Sequence, residues 1–162
     1  MNAMILLGIS TGMRTLTATT VLCWYAWLNL LPQHGWTFWA GNLISVIVFT
    51  AMALGEYVAD TLPMTPSRTS PPQLISRLAF GALTGVLASR TLAEPLAGGV
   101  LFGLSGTLIG TYGGHRLRMV TAKWLGRDLP VGLCESALAL GLALLAAHEL
   151  RIELVKESLL LR

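Results

Sequence analysis

The stretch ILLGISTGMRTLTATTVLCWY (5–25) decides how the rest of the chain is read. It sits inside residues 2–31, which are almost continuously apolar or small. A membrane-spanning helix needs only ~20 such residues. GISTGMRT (8–15) interrupts the run with two glycines, Ser10, Thr11 and Arg14. Two readings follow: a long tilted first helix, or a helix broken near Gly8–Gly12. Polar backbone at membrane depth is tolerated only where protein buries it or water reaches it.

The composition fits a membrane protein. Of 162 residues, 54% are hydrophobic and 12% charged, and mean hydropathy is +0.66. A soluble domain carries about 25% charged residues, so this chain lacks the polar surface to cover a water-soluble globule. The N-terminus MNAMILLGIS has no positive leader region, so the first apolar stretch is expected to stay as a helix. Net charge is +3. The cations cluster in loops, without interleaved aromatics, which argues against nucleic-acid binding.

The predicted fold is an all-α polytopic bundle of about five transmembrane helices. The first span lies within 2–31, and the others cover 40–58, 73–92, 96–113 and 129–149. Residues 1–150 form one domain, and 151–162 a short amphipathic interfacial or frayed tail. LPQHGWTF (31–38) is an interfacial turn ringed by tryptophans. DTLPMTPSRTSPP (60–72) and HRLRMVTAKWLGRD (115–128) are polar loops, the second basic, with a partly helical form at the interface as its alternative. Five spans place these two loops on the side of the N-terminus. That side holds Arg68, Arg77, Arg116, Arg118, Lys123 and Arg127; the other holds Arg90, Arg151, Lys156 and Arg162. The positive-inside rule then predicts a cytoplasmic N-terminus and an external C-terminus.

Internal echoes suggest a two-helix repeat. GISTG (8–12) resembles GALTG (81–85), GEYVADTLPM (55–64) resembles GTYGGHRLRM (110–119), and PQLISRLAFG (72–81) faintly matches PVGLCESALA (130–139). Glycines at 99, 103, 106, 110 and 114, and at 81 and 85, form small-residue faces for tight packing within the bundle or for a dimer seam.

The chemistry-bearing residues are the intramembrane charges. A charge in hydrocarbon costs roughly 2.5–3.5 kcal/mol even on the lenient scale. Arg14, Glu56, Asp60, Arg77 and Glu135 are the candidate substrate- or ion-binding set, with His115 and Arg116 as a rim or proton relay. Glu56 is expected to pair with Arg14 or Arg77. Two roles suit the set: a polar site for a small charged solute, ion or lipid headgroup, or interhelical clasps in a non-catalytic scaffold. No nucleophile–base pair, phosphate loop or metal-ligand spacing occurs in the sequence. No catalytic residue, metal or cofactor is therefore assigned, and the chain is not expected to be an enzyme. Cys23 and Cys134 both fall in apolar segments. The expected partners are membrane lipids and further copies of this small chain.

The order of motifs resembles the bacterial integral membrane family catalogued as domain of unknown function 4126. The matching residues are Gly12-Met13-Arg14, the ExxxDxLP of Glu56, Asp60, Leu62 and Pro63, Arg77 with Gly81, IGTYGGHRLR (109–118), and LPVGLCESALALGLALLA (129–146). They cover about residues 7–146. Thr61, Leu78 and Ser136 depart from the family pattern. The resemblance implies a multi-pass protein of the bacterial inner membrane, and it places Arg14, Glu56, Asp60, Arg77 and Glu135 on motif positions. The family name carries no activity.

Overall fold

The computed structural model describes residues 1–33, 35–59, 70–125 and 128–160, and among these it is entirely helical. The helices are α1 (Asn2–Met13), α2 (Thr17–Trp27), a 3₁₀ helix (Gly35–Gly41), α3 (Leu43–Ala59), α4 (Pro71–Thr91), α5 (Leu96–Leu125) and α6 (Asp128–Leu160). Prolines at the start of α4 suit a first turn whose N–H groups have no helical partner. Among the described residues, two helical stretches are long and apolar enough to cross a membrane, Leu96–Thr121 and Pro130–Leu160. The 3₁₀ helix and α3 make a third if counted as one span bent by 64°.

The first apolar stretch is two helices. α1 stops at Met13, and Arg14 takes an extended conformation (φ −139°, ψ 114°). The chain then reverses. Gly12 lies beside Arg77 on α4, and Met4 lies beside Ser89, so α1 runs antiparallel to α4. After α2, Gln33 donates to Thr91 Oγ1 at 2.8 Å, back at the end of α4 that faces Met4. Residues 2–31 therefore form a helical hairpin with its tip at Arg14–Leu16. Each arm is about 16–18 Å long at the usual helical rise.

This reversal changes the topology expected from a single first span. Ser10 Oγ donates to the Ala139 carbonyl at 2.8 Å, and Arg14 reaches Gly132, so α1 is antiparallel to α6. Helix direction alternates from α1 through α6. Asn2 and the final turns of α6 consequently lie at one end of the bundle, whereas five spans would put them at opposite ends. The cause is the extra turn inside residues 2–31. Two further boundaries differ. The basic loop begins as uninterrupted α5, helical through Leu125, and residues 151–160 continue α6 without a break.

α1 is the central helix, packed by α4, α5, α6 and α2. Glycines bring it that close. Gly8 and Gly12 meet the backbone of α5 at Gly106 and Gly110, while Gly81 and Gly85 of α4 meet Gly103 and Gly99 on another side of α5. Both glycine sets face the bundle interior. GISTG and GALTG thus perform the same packing on helices that run in opposite directions, whereas a parallel repeat would have them run alike. α3 is peripheral, resting on α2 and the 3₁₀ helix, with a T-shaped Phe49–Phe80 contact to α4.

Candidate functional site

Ending a helix inside a bundle leaves carbonyls at its C-terminus and amides at the next N-terminus without helical partners. Side chains from α3, α4 and α5 supply them here. Arg77 Nη1 donates to the Gly12 carbonyl at 2.6 Å, and Thr111 Oγ1 donates to the same oxygen at 3.3 Å. Glu56 accepts from the Thr15 amide at 2.8 Å and the Leu16 amide at 3.0 Å, one bond to each carboxylate oxygen. A cation thus sits at the C-terminus of α1 and an anion at the N-terminus of α2, the placement each helix dipole favours.

The tip is enclosed by protein. Arg14 is 3% exposed and Arg77 1%. The Arg14 guanidinium lies 5.0 Å from the centre of the Tyr57 ring, and its Nη2 reaches the Gly132 carbonyl at 3.4 Å. The Tyr57 hydroxyl shares a hydrogen bond of 2.9 Å with Thr17 Oγ1 on α2. α3 is thereby fastened to the tip by consecutive residues, Glu56 and Tyr57.

The expected Glu56–Arg14 or Glu56–Arg77 ion pair does not form; among the described residues, Glu56 bonds to backbone amides instead. The reason is geometric. The two tip amides are spaced to meet one carboxylate oxygen each, and Arg77 is engaged with the Gly12 carbonyl.

Arg14, Glu56 and Arg77 meet at the tip. Glu135, 6% exposed, lies between α6 and α5, where its Oε1 backs onto Gly114 and its Oε2 stands 3.9 Å from Arg118 Nη1. Arg118 was not among the expected site residues. Its signal was the helical spacing from Gly114, hidden by reading 115–128 as a loop. His115 is half-buried and Arg116 exposed on α5, and neither is hydrogen-bonded to Glu56 or Glu135. Asp60 lies outside the described residues.

Two cavities flank these groups. A groove of about 370 Å³ runs between α3 and α4, floored by Thr15 and Leu16 and lined by Glu56, Gln73, Ser76 and Arg77. A slot of about 200 Å³ lies between α5 and α6, with Glu135 and Arg118 on walls that are otherwise mainly apolar. Among the described residues, no group of three His, Cys, Asp or Glu could hold a metal ion. Cys23 is buried and Cys134 exposed, and neither is in a disulfide.

Comparison of the chain with family models, with curated proteins and with solved structures finds no match.

Proposed function

We propose that this is a small membrane protein whose α3–α4 groove handles a small charged solute, ion or lipid headgroup in a transport- or channel-like way. One observation carries the reading. A carboxylate and a guanidinium line a single groove of about 370 Å³ at a break in the central helix. That volume falls in the ordinary range for small-ligand sites. Broken helices whose ends meet polar groups at membrane depth are a recurrent device for holding charged substrates. Glu56 supplies the negative side and Arg77 the positive side. Arg14, Asp60 and Glu135 complete the charged set, with His115 and Arg116 at its rim. The resemblance to family 4126 belongs to the same proposal, as do the bacterial inner membrane and a homo-oligomer.

In this reading α3 to α6 cross the bilayer and the α1–α2 hairpin enters it without crossing. The end bearing Arg116, Arg118 and Lys123 is cytoplasmic by the positive-inside rule, and both termini are external. Single thiols on a cysteine-free background test this. Asn2→Cys and Ser158→Cys label from one side and Thr121→Cys from the other. Labelling of Asn2→Cys from the same side as Thr121→Cys overturns it.

A second reading is favoured by the hydrogen bonds themselves. Glu56 and Arg77 both hold backbone, as clasps in a scaffold would. Thermal stabilisation by a panel of small ions and zwitterions separates the two. The transport reading expects a stabilising solute for the parent, and Glu56→Gln keeps the fold and loses the response. A parent that no solute stabilises, with a variant that merely unfolds earlier, leaves the scaffold.

A further inference from the structure

The slot between α5 and α6 is separate from the groove and does not depend on the transport reading. Its walls are Leu117 on α5 and Pro130, Val131, Cys134 and Leu138 on α6. Such a surface suits hydrocarbon. Two charged side chains interrupt it, Arg118 and Glu135, 3.9 Å apart with side chains 20% and 5% exposed. A guanidinium carries five donors in a planar fork, enough to serve a carboxylate on one edge and phosphate oxygens on another. Arg116 and Lys123 stand exposed on the same terminal stretch of α5, so this end of the helix is cationic.

We infer that the slot binds an anionic phospholipid of the surrounding bilayer, one acyl chain lying along Leu117, Val131 and Leu138 and the phosphate against Arg118. The commitment to an anionic headgroup rests on charge. Three cations, Arg116, Arg118 and Lys123, occupy this end of α5, and the carboxylate of Glu135 is withdrawn into the bundle at 6% exposure. Basic pockets between helices near a membrane surface select acidic headgroups in this way.

Cys134 lines the slot and is exposed, while Cys23 is buried, so the protein carries its own reporter. Purified protein in detergent is reacted with N-ethylmaleimide, alone or with phosphatidylglycerol or phosphatidylcholine added. Phosphatidylglycerol at ten times its dissociation constant is expected to slow Cys134 labelling about tenfold, with little effect from phosphatidylcholine. Arg118→Gln abolishes this protection, and Arg118→Lys restores part of it. A reference thiol, Ser158→Cys in a Cys134→Ala background, reports any general effect of an anionic surface on the reagent. Equal protection by the two lipids, no protection by either, or equal slowing of the reference thiol each overturns the inference. The parent comparison decides the matter even if an Arg118 variant fails to fold.

Discussion

α1 and α3 are both short apolar helices, yet they are held by opposite means. α1 is gripped by shape: its glycines lie against the glycines of α5, backbone to backbone. α3 presents much of its apolar surface outward, including Ile44, Ile47 and Val58. Its inner end is fastened by polar side chains, Glu56 to the tip amides and Tyr57 to Thr17. The difference teaches that α3, which packing serves least, depends on polar side chains at its inner end, whereas on α1 the bonds from Arg77 and Thr111 to Gly12 finish a helix already held by close fit. Lipid tails are as apolar as leucine, so close fit and hydrogen bonds must hold helices together in a bilayer.

The comparison breaks first at the seam. A Cβ at Gly110 would run into the Ile9 carbonyl of α1, whereas nothing lies within 4 Å of one at Gly113 on the same helix. Gly110→Leu is expected to cost more than about 4 kcal/mol, beyond the usual range for single substitutions, and to abolish recovery of monodisperse protein. Gly113→Leu should be recovered at the parent's yield. Similar behaviour of the two would sink the glycine-seam account.

The fastening is tested next by Arg77→Met, which strips the Gly12 carbonyl of its charged donor. Loss of a charged hydrogen bond to a buried carbonyl costs about 1.5–3 kcal/mol. The thermal midpoint in detergent should fall accordingly, and amides at the end of α1 should exchange faster.

Glu56→Ala is expected to be milder, at about 1–3 kcal/mol for unsatisfied buried donors, because α3 is peripheral. Its signature is local. Exchange at Thr15 and Leu16 should quicken while amides of α5 stay protected. Uniform loss of protection would mean that α3 is integral to the core.

Tyr57→Phe should do least. It removes the hydrogen bond to Thr17 and keeps the ring beneath Arg14, a change of about 0.5–1.5 kcal/mol. A larger fall in midpoint would move Tyr57 from a fastening of α3 to a support of the tip.

Much of this was legible in the residues. Long apolar runs with prolines at 63, 66, 71, 72 and 95 marked the boundaries around α4. The three- and four-residue glycine spacing marked the faces that touch. The cost of a buried charge singled out Arg14, Glu56, Arg77 and Glu135, all of which occupy interhelical positions. The break in the first stretch was legible as one of two alternatives, placed a few residues early. The partner of Glu56 was not legible, because backbone amides become available only where a helix is interrupted. Nor was the pairing of Arg118 with Glu135, which depends on α5 remaining helical beyond Gly114.

By itself the sequence determined that this chain is helical with stretches apolar enough to cross a membrane, and which side chains could not stand alone in hydrocarbon. Those properties follow from composition and spacing, which are local. Only the tertiary structure decided that residues 2–31 turn back on themselves, that Asn2 and the last turns of α6 lie at one end of the bundle, and that Arg118 stands beside Glu135. A hairpin and a long helix present the same apolar run. What separates them is whether residues distant in sequence, Glu56 and Arg77, arrive to satisfy the backbone at the turn.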